Sequence, residues 1–147
     1  MTKIWTIFST ISSVTENDAS TAKYSRVLVA VGSNYDAEEC IATVQRILNK
    51  EFPNIRFSKV VETKAIGIEG SPPFRNFLAA FDTAMSVHEL NVFLKKIEYA
   101  CGRDSRNRNE IPLDVDLLSY NGIRYHVSDW NRPYIRSLFD ELNANTP

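Results

Sequence analysis

Leu113-Asp114-Val115-Asp116-Leu117-Leu118 is the stretch on which the expected fold depends. Its acidic and apolar residues alternate, which is the period-2 pattern of a β-strand. Asp114 and Asp116 then share one face, about 7 Å apart along the strand, and the apolar residues enter a core on the other face. Two neighbouring carboxylates need positive charge close by. Either Lys and Arg side chains or hard divalent metal ions can supply it.

The segments on either side of this strand carry helix and strand patterns. The predicted elements are a strand at Arg26–Val31 ending in a turn at Gly32-Ser33-Asn34, a helix with an Asp36/Glu39 capping box that stops at Pro53-Asn54, a strand from Ile55 to about Thr63, a strand from Phe74 to Asp82, a helix with a Ser86/Glu89 capping box that stops near Gly102, the acidic strand, a turn at Asn121-Gly122, and a helix from about Tyr134 to Asn143. This order predicts a ferredoxin-like βαββαβ α+β sandwich, with helices on one face of a mostly antiparallel sheet and a C-terminal hairpin and short helix.

Length and composition predict one domain and limit its partners. The 147 residues, 44% of them hydrophobic, fit a single domain at 26–147, preceded by an N-terminal extension at 1–25. The first 14 residues imitate a signal peptide only weakly, so we expect this extension to be retained. Because Lys and Arg total 17 against 18 Asp and Glu, no broad basic face for nucleic acid is expected. No apolar run is long enough for a membrane helix.

The two cysteines indicate the compartment. Cys40 and Cys101 are far apart in the sequence and match no zinc pattern. Both fall in predicted helices, where free thiols are expected. Free thiols fit a reducing, cytoplasmic location.

Polar residues around the acidic strand suggest a site. An Arg-rich loop precedes the strand, and His126, Arg132 and Arg136 follow it. Carboxylates with nearby Arg and His are what Mg²⁺ with a polyphosphate requires, although each group taken singly also fits a solvated surface. In a second group, Phe74 and Tyr134 could stack on a flat heterocycle while Asn76 reads its edge. The same aromatic residues also fit a hydrophobic core.

From about Val27 to Leu142 the chain resembles the 6-hydroxymethyl-7,8-dihydropterin pyrophosphokinase family. The resemblance is carried by the order and spacing of Val31-Gly32-Ser33-Asn34, Thr63 to Gly67, Phe74-Arg75-Asn76, Ile97-Glu98, Gly102-Arg103, the acidic strand, His126 and Asn131-Arg132. It implies a ferredoxin-like fold. It also implies transfer of pyrophosphate from ATP to the hydroxymethyl group of the dihydropterin, with two Mg²⁺ ions.

The resemblance also implies a role for individual residues. Asp114 and Asp116 would hold both metal ions. Phe74 and Tyr134 would sandwich the pterin, and Asn76, Thr63 and Ile66 would surround it. The nucleotide would be contacted by Glu98, His126 and Arg132, and its phosphates by Arg103. Asp114, Asp116, Arg103, His126 and Arg132 would therefore be the catalytic set. Where the family usually has an Arg before the acidic strand this chain has Ile111, and Arg106 or Arg108 could supply that charge to the nucleotide.

The sequence is compatible with three functions. The first is the pyrophosphokinase, acting on small molecules as a monomer or weak dimer. The second is a weak or inactive homologue that binds pterin or nucleotide. The third is a ferredoxin-like interaction module, although no ribonucleoprotein-type aromatic motif is present.

Overall fold

A computed structural model describes residues 24–64, 70–102 and 110–144 of the chain. The expected N-terminal extension lies outside these ranges, except for Tyr24 and Ser25, and Ser25 already opens the first strand. Within the described ranges, no helix combines the length and the apolar character needed to cross a membrane.

The described elements form one antiparallel sheet with helices packed on it. They are β1 (Ser25–Ser33), α1 (Ala37–Glu51), β2 (Arg56–Phe57), β3 (Val61–Thr63), β4 (Phe74–Thr83), α2 (Val87–Ala100), β5 (Asp114–Tyr120), β6 (Ile123–Arg124), a 3₁₀ helix (Val127–Asn131) and α3 (Pro133–Ala144). The strand order is β2-β4-β1-β5-β6, with β3 also paired to β4. This is the predicted ferredoxin-like α+β arrangement, in which β1 lies between β4 and β5.

The single strand predicted from Ile55 to Thr63 is wrong, because the chain leaves the ladder between β2 and β3. At this point the Leu78 N–H donates to the Ser58 hydroxyl oxygen (2.8 Å), while the Ser58 N–H donates to the Leu78 carbonyl (2.9 Å). A side chain thus takes the place of a backbone acceptor. The edge of β4 is therefore paired in two short pieces.

The two predicted helix starts have different outcomes. At Ser86 the capping box is confirmed, since the Glu89 N–H donates to the Ser86 hydroxyl and the Ser86 N–H to the Glu89 carboxylate (3.1 and 2.9 Å). At Asp36 the capping box is wrong. Asp36 has a left-handed backbone (φ 49°) instead of the extended one that such a cap requires, and its side chain makes no capping bond.

The sheet has a different hydrophobic core on each face. On one face, Val29, Phe77 and Val115 pack with the buried residues of α1 and α2. On the other face, Leu28, Leu78 and Leu118 pack with the buried side of α3 and with Trp130. The first helix pair therefore covers one face, and α3 covers part of the second.

Polar contacts hold α3 in place over the second face. The Arg56 guanidinium donates to the Leu142 carbonyl at the end of α3 (2.8 Å), and the Lys59 N–H donates to the Glu141 carboxylate (3.0 Å). At the other end, the Trp130 indole N–H donates to the Leu118 carbonyl (3.2 Å). These contacts position α3, and so determine which part of this sheet face it covers and which part stays open.

The fold brings the two cysteines together. Cys40 lies in α1 and Cys101 directly follows α2; both are free, and their thiols are within hydrogen-bonding reach of each other. Burial, followed by the neighbouring Cys40, raises the pKa of Cys101 to about 11. The prediction of free thiols is confirmed for this pair.

Candidate functional site

A cavity of about 200 Å³ opens on the second sheet face, beyond the part that α3 covers. It lies where β3, β4, β1 and β5 run side by side, capped by the chain leading into α3. It is lined by Ala30, Val31, Gly32, Thr63, Lys64, Phe74, Asn76, Asp114, Asp116, Asp129, Arg132, Tyr134 and Ile135. Four strands, the 3₁₀ helix and the start of α3 thus contribute to one concave site, which is the usual form of a small-molecule site.

Gly32 makes the centre of this cavity possible. It lies within β1 and pairs with Asn76 on one side and Asp114 on the other. A Cβ on Gly32 would stand 2.8 Å from the Asn76 side-chain oxygen and 3.5 Å from Phe74. The sequence pattern predicted a turn at Gly32, but this prediction is wrong because β1 continues to Ser33. The sequence did carry a signal for this role, because a glycine inside a strand often marks a place where a ligand or another backbone comes close.

One side of the cavity carries the residues expected to bind the pterin. Asn76 is only 6% exposed, and its side-chain N–H₂ donates to the Thr63 hydroxyl (2.7 Å). Phe74 pairs with Thr63 across the strands, and Tyr134 enters from the start of α3. Four of the five residues predicted for this role are therefore brought together. The fifth, Ile66, lies outside the described residues.

The other side of the cavity carries the two carboxylates of β5. The predicted alternation is confirmed, because Val115 and Leu117 are buried while Asp114 and Asp116 face the cavity. Burial, and then the charge of Asp114, raises the pKa of Asp116 to about 7. The His126 imidazole lies 3.9 Å from the Asp116 carboxylate and opposes this shift.

This carboxylate pair has the chemistry of a site for a hard divalent cation. Like charges held together raise the pKa of one partner when no cation compensates them. Mg²⁺ binds through one or two carboxylates and takes its remaining ligands from phosphate oxygens and water. Among the described residues, no cluster of three or more His, Cys, Asp or Glu side chains could hold a metal alone. The pair therefore fits Mg²⁺ that arrives with a phosphate.

A third carboxylate, Asp129, faces the same cavity and was not predicted from the sequence. It forms an ion pair with Arg132, with 3.3 Å between the Asp129 Oδ1 and the Arg132 Nε. Its charge also adds to the raised pKa of Asp116. The three-residue spacing of Asp129 and Arg132 was visible in the sequence, but the 3₁₀ helix that gives the spacing its meaning was not predicted.

Glu98 lies beneath β5 and not on the cavity wall. It is 7% exposed, and its carboxylate accepts the Val115 N–H (2.8 Å). This bond holds the backbone between the two metal-binding candidates. The nucleotide role predicted for Glu98 therefore has a structural alternative.

The chain leading into β5 carries the arginines predicted to contact the nucleotide and its phosphates. Arg103, Arg106 and Arg108 lie outside the described residues. Ile111, at the position where the resemblance led us to expect an Arg, is bound through its backbone to Asn34. The Ile111 N–H donates to the Asn34 side-chain oxygen, and the Asn34 N–H donates to the Ile111 carbonyl (3.0 Å). This tie joins the entry to β5 with the end of β1.

Comparisons with known proteins show the family of the chain. The chain matches the 7,8-dihydro-6-hydroxymethylpterin-pyrophosphokinase family over residues 28–143. It is similar to 2-amino-4-hydroxy-6-hydroxymethyldihydropteridine pyrophosphokinase of Aquifex aeolicus, with 33% identity over 98 residues, covering 64% of this chain and 60% of that protein. It is also similar to the folate synthesis bifunctional protein of Chlamydia muridarum (31% identity, 79% of this chain, 30% of that protein) and to the mitochondrial one of Pisum sativum (29%, 79% and 25%). The chain therefore spans about a quarter to a third of these bifunctional relatives.

Proposed function

Because the chain belongs to the 7,8-dihydro-6-hydroxymethylpterin-pyrophosphokinase family, we propose that it transfers a pyrophosphoryl group from ATP to 6-hydroxymethyl-7,8-dihydropterin. The products are the pterin diphosphate and AMP, as a step of folate biosynthesis. The observation that carries this proposal is the single cavity in which Phe74, Asn76 and Tyr134 stand beside Asp114 and Asp116. One substrate needs a flat polar pocket and the other needs a cation-binding edge, and the cavity offers both.

The pterin half of the site binds by shape and by hydrogen bonds. Asn76 is held by Thr63, so its amide group is oriented before substrate arrives. Phe74 and Tyr134 offer ring faces to the pterin, with Ile66 completing the pocket. Gly32 leaves the room that the heterocycle needs next to Asn76.

The phosphate half acts by positioning and by charge. The substrate hydroxyl attacks the β-phosphorus of ATP and AMP leaves, so the protein needs no nucleophile of its own. Asp114 and Asp116 would hold two Mg²⁺ ions, which neutralise charge on the transferred group. Arg132 and His126 would contact the nucleotide, and Arg103, Arg106 and Arg108 would supply further positive charge to its phosphates.

A binding protein without turnover is the second candidate. It is favoured by Ile111, an apolar residue where the family usually has an Arg. Loss of one phosphate-binding group can cost about 100-fold or more in rate. Such a protein would bind the pterin and release no AMP.

The remaining properties stay predictions. We expect small-molecule substrates without a nucleic-acid or membrane partner, a monomer or weak dimer, and a single domain at 26–147. The cytoplasmic location also stays a prediction, since one of the relatives is a mitochondrial protein.

The experiment is to incubate the full chain with ATP, MgCl₂ and the dihydropterin, and to measure AMP and pterin diphosphate by chromatography. We expect AMP from the parent protein and a loss of at least about 100-fold for Asp114→Ala. The matched control is Asp82→Asn, which changes an exposed carboxylate on β4 outside the cavity and should leave the rate unchanged. Pterin binding without AMP would support the second candidate. If the protein neither binds the pterin nor forms AMP, both candidate functions are refuted.

A further inference from the structure

Asp129 and Arg132 are joined by two contacts, one between their backbones and one between their side chains. The Arg132 N–H donates to the Asp129 carbonyl (3.0 Å), closing the end of the 3₁₀ helix. In a 3₁₀ helix, residues three apart lie directly above one another, so the two side chains meet as well. The Asp129 Oδ1 then stands 3.3 Å from the Arg132 Nε. The side-chain contact is therefore set by the local backbone.

This contact uses a specific edge of the guanidinium. Arg carries five N–H donors, one on Nε and four on the terminal nitrogens. Asp129 meets Nε, and the Tyr134 hydroxyl lies within hydrogen-bonding reach of the Arg132 side chain. Arg132 lines the cavity together with Asp129, and its other four N–H donors are on the terminal nitrogens. Terminal N–H groups of Arg are suited to bidentate contact with phosphate.

Asp129 is otherwise unfavourable where it stands. It adds a third negative charge to a cavity that already holds Asp114 and Asp116. Arg132 is 43% exposed and has a long, flexible side chain. Without a partner at Nε, the guanidinium would be attracted to the two β5 carboxylates and would occupy the space that phosphate and its cation need.

We propose that Asp129 is a positioning residue for the nucleotide: it holds Arg132 by its Nε, keeps it away from Asp114 and Asp116, and presents its terminal N–H groups to the polyphosphate of ATP. This inference rests on the proposed function, because that function puts ATP in the cavity. Asp129 touches no reacting atom, and its effect passes through Arg132.

The test compares Asp129→Asn, Arg132→Lys and the double variant with the parent. Asp140→Asn is the matched control, because Asp140 is an exposed carboxylate on α3 outside the cavity. We expect Asp129→Asn to raise the KM for ATP about 10-fold, as for loss of a charge-assisted hydrogen bond, with the KM for the pterin within about twofold. In the Arg132→Lys background, which has no Nε–H, Asp129→Asn should have little further effect. A merely structural role would change both KM values.

A second readout does not depend on turnover. In ¹⁵N-labelled parent protein the Arg132 Nε–H should give a signal that is lost in Arg132→Lys and shifted in Asp129→Asn. An unshifted signal, or an additive loss in the double variant, would overturn the proposal.

Failure of the proposed function would be recognised separately. If the parent forms no AMP, its affinity for a non-hydrolysable ATP analogue with Mg²⁺ is measured by calorimetry. Binding that weakens about 10-fold in Asp129→Asn would support the positioning role although the proposed function has failed. Equal affinity of parent and variant, or no binding by the parent, would overturn the positioning role.

Discussion

The second sheet face has two ends that use the same strands for opposite purposes. At the covered end, Leu28, Leu78 and Leu118 pack beneath α3. At the open end, the same three strands carry Gly32, Asn76 and Asp114. The covered end stabilises by burying apolar surface, whereas the open end holds two carboxylates together at a cost in stability. Binding groups can therefore be placed on a rigid sheet because the neighbouring residues supply its stability.

The largest change should come from the covered end. Leu78 is fully buried between the sheet and α3, so Leu78→Ala removes apolar contacts and leaves a cavity. We expect a loss of about 2–5 kcal/mol in the free energy of unfolding, measured by urea denaturation. The rate per folded molecule should change little. A stable variant would mean that α3 does not depend on this contact.

At the open end, a substitution should lower activity without lowering stability. Asp116→Asn removes a negative charge beside Asp114 without changing the shape of the side chain. We expect AMP formation to fall at least about 100-fold, while the free energy of unfolding at pH 8 stays the same or rises. Loss of activity together with a large loss of stability would contradict the division between the two ends.

Gly32→Ala tests whether the pterin half and the phosphate half of the open end act separately. The new Cβ would crowd Asn76 at 2.8 Å, on the pterin side. We expect the KM for the pterin to rise about 10-fold, as for the loss of a well-placed hydrogen bond, and the KM for ATP to change much less. Ala80→Gly, in the neighbouring strand β4 and outside the cavity, is a control for backbone effects. Equal changes in both KM values would mean that Gly32 serves the whole site.

The last effect expected is a pH dependence of the free energy of unfolding. Since the folded state raises the pKa of Asp116 from 3.8 to about 7, the folded protein keeps a proton that the unfolded chain releases. This contribution to stability is present below about pH 4 and is lost as the pH rises to 7. The stability of metal-free parent relative to Asp116→Asn should therefore fall from pH 5 to pH 8. Added Mg²⁺ should stabilise the parent more at pH 8 than at pH 6, because the metal needs the ionised carboxylate. A pH-independent difference would contradict the raised pKa.

Features set by short-range patterns were predictable from the sequence. The alternation around Asp114 and Asp116 and the capping box at Ser86 depend on residues a few positions apart, and both predictions are confirmed. The resemblance to the family also identified Thr63, Phe74, Asn76 and Tyr134, which the fold places around one cavity.

Features set by distant contacts were not predictable. The gap between β2 and β3 depends on Ser58 meeting Leu78, and the orientation of Glu98 depends on the backbone of Val115. Asp36 has a left-handed backbone that no residue pattern around it required. Asp129 became visible as part of the site only once the 3₁₀ helix turned it toward Arg132.

The most direct test of the central claim is ³¹P NMR of the complete reaction with the parent protein, ATP, Mg²⁺ and the dihydropterin. If the open end of the sheet is a pyrophosphoryl-transfer site, the ATP signals should be replaced by AMP and by two coupled phosphorus signals of a pterin diphosphate. Formation of ADP with a pterin monophosphate, or ATP that stays intact while the pterin binds, would contradict it.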